Sequence, residues 1–356
     1  MYGLSVQSKS YAQGTGRQSI EYQSLEVQAT KLQPSYLRSS DLHASDLRAS
    51  DIQATDLLAT VSQPIRYSEP TNLGQKVADY YDIATPGYED WSSNINMHFG
   101  VYEKGLSPFN REAMLENTNR KVLELLALEN AGSHILDMGC GVGATARYAL
   151  KHGYSNKVCG ITLCQTQVAQ AIDRAAQEGL QQHASFACMD FHNTSFPDAD
   201  YDGVYAIESA CHSNEPDKKS LLKEAFRLLK PGKRIVLCDG FIRNSDHLNP
   251  LTEWANKKVC KNWALGCFGD IDKVEASLNE IGYEDIHIEN ISLKVLPSAC
   301  FIPWVSFKYL FKLIRTKETD LRYWRHLFAP LWGLGLALDI RHFGYYLVSA
   351  KKPRDR

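Results

Sequence analysis

The sequence lacks a Cys-x-x-Cys pair, a surplus of either charge and an apolar run long enough to span a bilayer. Nine cysteines are scattered singly between Cys140 and Cys300, which removes paired-thiolate zinc sites and thioredoxin-like motifs. Several of them (Cys159, Cys188, Cys238) fall in expected strands, where a reduced thiol acts as a small hydrophobe. A reducing, cytoplasmic setting follows as the expectation. Lysine and arginine total 39 against 41 acids, so nothing favours a polyanionic partner and no nucleic acid is expected. The apolar stretch Leu327 to Leu338 is interrupted by Pro330 and two glycines and falls short of the about 20 residues a spanning helix needs. It suits a hydrophobic lid or a peripheral membrane contact. Met1 to Ser10 has no apolar core of the kind a secretion signal carries.

Residues 1–68 also lack tryptophan and phenylalanine and are rich in Ser, Gln, Ala and Thr. A five-residue period runs through 37–60, marked by Leu37, Leu42, Leu47, Ile52 and Leu57. That period fits neither helix nor strand. The pentads resemble pentapeptide-repeat proteins, yet there is little more than one turn's worth, and stacked repeats need neighbours to bury their apolar face. A disordered leader is the expectation here.

From residue 69 the texture is that of a folded domain, and 44% apolar residues over the chain suffice for a sizeable core. An aromatic cap is expected over 73–110, holding Tyr81 and the run Asn96-Met-His98-Phe-Gly-Val-Tyr102. A helix over 111–128, interrupted by the polar stretch 116–121, precedes a regular alternation. Strands are expected near 134–138, 157–163, 184–189, 201–208, 234–241, 286–292 and 344–350. Helices are expected at 144–152, 166–179, 217–230 and 271–281, with Lys230-Pro-Gly232 as a stop signal. This is an α/β fold with a mostly parallel sheet. Two stretches, 242–268 and 296–343, break the alternation and are read as lids over the crevice at the strands' C-terminal edge.

The chain is organised around His134-Ile-Leu-Asp-Met-Gly-Cys-Gly-Val-Gly-Ala-Thr145. A strand runs into Asp137, glycines follow at 139, 141 and 143, and a helix begins. The order makes a cradle for a nucleotide cofactor, because a Cβ would block close approach of backbone to ligand. Asp137 decides which cofactor. A carboxylate at the strand end pairs with an ammonium group and repels a pyrophosphate.

The spacing D-x-G-C-G-x-G resembles the first motif of class I S-adenosylmethionine (SAM) methyltransferases. That resemblance, covering about 75–350, implies a Rossmann-like seven-stranded sheet with an antiparallel edge pair and SAM as cofactor, held by Asp137, Gly139, Cys140, Gly141 and Gly143. The next stretch, Gly160-Ile-Thr-Leu-Cys-Gln-Thr-Gln167, has Thr162 where many of these enzymes carry an acid for the ribose. It is similar to sterol C-methyltransferases, tocopherol methyltransferases and cyclopropane-fatty-acid synthases. The likeness assigns Thr162, Leu163 and Gln167 to the ribose and methionine end. It places Met189, Asp190 and Phe191 around the adenine, with Asp190 at its amino group. A helix cap at Thr162 or Thr166 is compatible with the same residues.

Glu208 and His212 stand after the fourth strand, where substrate would sit. A Glu there can take a proton from a substrate carbocation, and His212 can position it or a hydroxyl. Tyr81 and His98 complete the candidate catalytic set, since aromatic faces stabilise cations. The Glu-x-x-x-His pair has no evident third ligand, so no metal is expected. The expected activity is methyl transfer to carbon of a lipophilic isoprenoid, sterol-like or prenyl-quinol compound. N- or O-methylation of a small metabolite, ring closure to a cyclopropane, and SAM binding without catalysis remain open at this point, as does the oligomeric state.

Overall fold

A computed structural model describes residues 72–129, 132–317 and 319–354. The leader and its pentads lie outside the described residues. The cap opens with α1 (Asn72–Ala84) and a 3-10 turn, Thr85–Glu89. Helix α2 (Arg111–Leu125) follows, started by Asn110, whose side chain accepts from the Ala113 N–H.

The core alternates β1 (His134–Met138), α3 (Ala144–Lys151), β2 (Lys157–Thr162), α4 (Gln165–Gln177), β3 (Ala184–Cys188) and β4 (Tyr201–Ile207). Next come α5 (Lys219–Leu228), β5 (Leu229–Ile242), α6 (Pro250–Asn262), the two-residue β6 (Gly269–Asp270) and α7 (Ile271–Ile281). The chain closes with β7 (Glu284–Asn290), α8 (Ser292–Ala299), α9 (Ile302–Thr316), α10 (Leu321–Ala337) and β8 (Phe343–Lys351). In the sheet the order is β3-β2-β1-β4-β5-β8-β7, with β6 beside β5. Strand β8 runs antiparallel between β5 and β7, and the strands from β3 to β5 pair in parallel. The expected mixed sheet with its antiparallel edge pair is therefore present, with β6 as a small addition.

Burial explains the pattern. Strands β1, β2 and β4 are enclosed along nearly their whole length, as befits strands covered by helices on both faces. One apolar layer gathers Leu136, Ile161, Val204 and Leu237 with α5 and α7; the other gathers Ile135, Val158, Val236 and Leu347 with α2, α3 and α4. Helix α7 is capped at both ends, by the Asp270 carboxylate and by Gly282 in a left-handed conformation.

One local expectation needs correcting. Lys230-Pro-Gly232 does not separate a helix from a strand, because β5 runs through it. Gly232 takes φ +79° and the pairing to β4 shifts register there, so the strand bends as at a bulge and continues. The polar stretch 116–121 lies within α2, and part of it is turned inward. Asn117, Thr118 and Asn119 are buried and hold the cap from below. Asn117 Nδ2 donates to Val101 O (2.7 Å), Thr118 Oγ1 to Phe99 O (2.9 Å), and Asn119 Nδ2 to Asn96 Oδ1 (2.9 Å).

The two irregular stretches are largely helical. Asn249 caps α6, whose Trp254 meets Trp332 of α10 edge to face at 5.0 Å. Residues 296–343 supply the end of α8, then α9 and α10. Among the described residues no helix is long and apolar enough to cross a membrane.

Candidate functional site

The sheet order reverses between β1 and β4, the place where a crevice opens at the C-terminal edge of a doubly wound sheet. Asp137 and the glycine turn leave β1 on one side of it, and Glu208 leaves β4 on the other. Thr162 ends β2, and Met189 follows β3 directly. A cavity of about 70 Å³ lies there, lined by Asp137, Gly139, Gly141, Thr162, Gln167 and Met189 among others.

Within it Asp137 is buried and accepts one hydrogen bond, from the Tyr205 hydroxyl (3.0 Å). Burial without a positive partner pushes its pKa up to about 7, against which the Tyr205 bond works only partly. Thr162 Oγ1 donates to Gln167 Oε1 (2.7 Å), which turns the Gln167 amide nitrogen towards Thr85 Oγ1 and Met97 Sδ. A Cβ at Gly141 would come to 3.0 Å from Met97 Sδ. The turn is thus a backbone floor with no room for a side chain. Cys140, Leu163 and Phe191 also line this cavity.

Two residues assigned to the cofactor are not in the wall of this cavity. Gly143 does not line the cavity. It takes φ +73° before α3, and a Cβ there would lie 2.7 Å from the Phe186 ring. Its role is close helix-to-strand packing. Gly143→Ala should cost about 2–4 kcal/mol of stability, from the left-handed backbone plus overpacking. Urea unfolding would measure the loss, and the fraction still folded should bind SAM normally. Asp190 also lies outside the lining. Its Oδ1 accepts from the His192 N–H (2.9 Å) and faces His192 Nδ1 at 2.7 Å, a local turn that fixes the loop carrying Met189 and Phe191.

A larger cavity of about 410 Å³ adjoins the first. Its walls are mostly apolar or aromatic, including Tyr88, Trp91, Phe99, Leu296, Ile302 and Leu334. The two cavities share Tyr81, Met97, His98, Glu208 and His212. These five residues form the junction.

Glu208 is held at that junction with φ +47°, a conformation non-glycine residues adopt at a cost and that clusters at functional sites. Its own N–H donates to Cys238 O (2.9 Å), while the Phe99 N–H and the Tyr345 hydroxyl both donate to its Oε1 at 2.6 Å. With both donors on one oxygen, Oε2 is the oxygen available to the cavities. Burial pushes the carboxyl up to about 8, opposed by those two donors and reinforced by nearby Asp239. The His212 ring donates from Nδ1 to Ala264 O (3.2 Å) and accepts the Tyr81 hydroxyl proton at Nε2 (2.9 Å). Burial lowers its pKa to about 4. It is a neutral imidazole that aims the Tyr81 oxygen.

His98, a catalytic candidate from sequence, lines both cavities and is also tied to the cap. Its two ring nitrogens stand 3.0 Å from Phe99 O and 3.0 Å from Asn119 Oδ1. Both neighbours are acceptors and burial lowers the ring's pKa, so a neutral ring donates to one of them and braces the cap by that bond.

Three contributors were missed from sequence. Tyr345 reaches Glu208 from β8. Asp239, buried on β5 with its carboxyl pushed up to about 6, accepts from the Cys211 N–H (3.0 Å) and lines the larger cavity. Met97 sits between both cavities. Tyr345 and Asp239 belong to no local motif, and Met97 lies in the 96–102 run without standing out in it. Asp239 alone carried a signal, as an acid at the end of an otherwise apolar strand.

Comparison with known proteins agrees with this geometry. Residues 135–232 match a family model described as a methyltransferase domain. A 24-methylenesterol C-methyltransferase 2 from Oryza sativa is 31% identical over 70% of this chain, the match spanning 63% of that relative, just under two thirds of its length. A probable chloroplastic tocopherol O-methyltransferase from the same plant is 30% identical, covering 71% of this chain and 72% of its own. Among solved structures, a cyclopropane synthase from Mycobacterium tuberculosis superposes with a TM-score of 0.70 at 16% identity, over 80% of this chain and all of that one; at that identity the likeness speaks for the fold alone.

Proposed function

We propose, from the premise that the chain belongs to the class I SAM-dependent methyltransferases, that its acceptor is a lipophilic isoprenoid, sterol-like or prenyl-quinol compound methylated at carbon. The observation that carries this reading is the junction: a mostly apolar cavity of about 410 Å³ opens onto the cofactor cavity through Glu208 and Tyr81. Such a cavity falls in the size range of small-molecule sites and offers few polar groups to a hydrophilic acceptor. The sterol-methylating relative points the same way.

The smaller cavity fits SAM on its own chemistry. A buried carboxyl without a cation, a side-chain-free glycine floor and the paired Thr162 and Gln167 would hold the ammonium, the backbone of the amino acid and the ribose in turn. Bound there, SAM supplies a methyl group on a sulfonium. The protein contributes alignment and exclusion of water. Aromatic faces of Tyr81, Tyr88, Phe99 and Tyr345 line the place where an alkene carbon would turn cationic, each worth about 0.5–2 kcal/mol to a cation. In its ionised form, reached as pH approaches about 8, Glu208 Oε2 takes the proton that the cationic carbon skeleton gives up, and the Phe99 and Tyr345 donors keep Oε1 fixed meanwhile.

A second reading, N- or O-methylation of an acceptor with a lone pair, is favoured by one observation. Glu208 and Asp239 together present two buried carboxyls to the larger cavity, and a neutral amine could donate its N–H groups to them while keeping its lone pair for the methyl.

Incubation with methyl-labelled SAM and fractionated cell lipids tests the proposal. Label should enter an apolar product on carbon; label confined to a water-soluble amine would refute it. Ala299→Phe places a ring in the larger cavity, whose wall Ala299 forms. It should raise KM for the lipid roughly tenfold or more as apolar contact area is lost. Its affinity for SAM, measured by calorimetry, should not move.

A further inference from the structure

Helix α9 buries one side and leaves an oily stripe on another. Ile302, Tyr309 and Leu313 are buried, whereas Trp304 is 56%, Phe307 59%, Phe311 62% and Ile314 60% exposed. Those four recur at i, i+3, i+7 and i+10, which sets them on one side of a helix. A stripe this long on a soluble surface marks an interaction site. Beside it on the same helix stand Lys308, Lys312 and Arg315, and α9 contains no acidic residue. Lys308 Nζ lies 5.4 Å from the centre of the Trp304 ring, holding the base against the stripe.

We infer that α9 docks in the interface of an anionic lipid bilayer. Large apolar side chains flanked on one side by bases, without acids, are the composition of an in-plane interfacial helix, and the bases match the sign of anionic headgroups. A second apolar protein surface would give the three bases nothing to pair with. The helix also connects the bilayer to the chemistry. Its Ile302 and Val305 line the acceptor cavity, whose rim carries the exposed Leu293, Leu338 and Ile340. A lipophilic acceptor dissolved in the bilayer then reaches the cavity past an apolar rim, without crossing water. This inference rests on the proposal of a lipophilic acceptor, but its test does not use turnover.

The full chain is floated with vesicles of phosphatidylcholine alone and of phosphatidylcholine with phosphatidylserine. The wild type should float with the serine-containing vesicles. Phe307→Ser/Phe311→Ser should lower the partition coefficient at least about tenfold, the loss of two interfacial aromatic anchors. Lys308→Glu/Lys312→Glu should lower it about fivefold per residue on the anionic vesicles, and much less on phosphatidylcholine alone. Neither double variant touches the cavities, so calorimetric SAM affinity should be unchanged and certifies folding. Wild-type protein that stays at the bottom with both vesicle types overturns the inference. So do variants that float equally well, and a wild-type dimer in sedimentation velocity that the phenylalanine variant turns into a monomer while vesicles bind neither. If vesicles bind as stated but labelled lipid is never methylated, the acceptor proposal fails and the docking surface stands.

Discussion

Glu208→Gln should lower turnover by roughly 10²–10⁴-fold, the usual contribution of a positioned acid or base, with SAM affinity little changed. Gln keeps the shape and can still accept the Phe99 and Tyr345 bonds at its oxygen, but it cannot take a proton. The effect belongs to kcat if the proton is removed from a carbon skeleton after methyl transfer. A nitrogen acceptor that already has a free lone pair would lose little, so the size of the effect separates the two acceptor chemistries. The same change should make the ligand-free protein more stable at alkaline pH. A carboxyl raised to about 8 in the fold, from about 4.3 when unfolded, is bound to its proton more tightly in the folded chain between those values. Native stability from this group is therefore intact at low pH and is lost as pH climbs through about 8. Gln carries no such penalty, so the melting-temperature gap between variant and wild type should open between about pH 5 and 8, at roughly 2–4 °C for each kcal/mol relieved. Equal activity of the two proteins on a carbon acceptor, or a variant less stable at pH 8, would remove Glu208 from the proposed role.

What could be read from sequence was what lies close together along the chain. Asp137, Gly139 and Gly141 form one strand-turn-helix unit, and Thr162 and Gln167 are five residues apart on the next one; local spacing therefore carries their geometry. The seven principal strands were legible for the same reason, most being short apolar runs between turn signals and β7 an alternating one. Long-range register was not. Tyr345 meets Glu208 because β8 lies antiparallel beside β5, pairing Tyr345 with Gly240, and no spacing rule reports a partner 137 positions away. The burial of Asn117 to Asn119 was not legible for another reason. Polar residues in a helix suggest solvent, yet these are buried because the cap needs hydrogen-bond partners beneath it. Gly143 shares the motif with Gly139 and Gly141 but answers to Phe186, which only the packing of α3 on the sheet reveals. Asp190 was assigned by analogy, and its Oδ1 contact with His192 is a local feature that analogy does not report.

Asp137→Asn should weaken SAM binding by roughly 10²–10³-fold, about 3–4 kcal/mol, because it leaves a buried ammonium without its counter-charge. The substitution is nearly isosteric and retains an oxygen for the Tyr205 hydroxyl, so the fold should be undisturbed. The pH dependence gives an independent check. Free Asp137 holds its proton up to about pH 7, whereas the pair needs the anion. Wild-type affinity should then rise as pH increases from about 6 to 7. It should fall again once the ligand's own α-amino group loses its proton near pH 7.7–8.0, leaving an optimum between the two. At pH 7 about half of the Asp137 carboxyls are still protonated, and binding should expel that proton into the buffer. Calorimetry in buffers of different ionisation enthalpy reads this directly, and the Asn variant should show neither the proton release nor the rising limb. The same carboxyl makes the empty protein less stable as pH passes upward through about 7, and ligand should relieve that loss most strongly just above it. An Asn variant that binds SAM as tightly as wild type, or a wild type whose affinity is flat from pH 6 to 7, would mean that the ammonium is not held at Asp137 and that the cofactor lies in the crevice in some other pose.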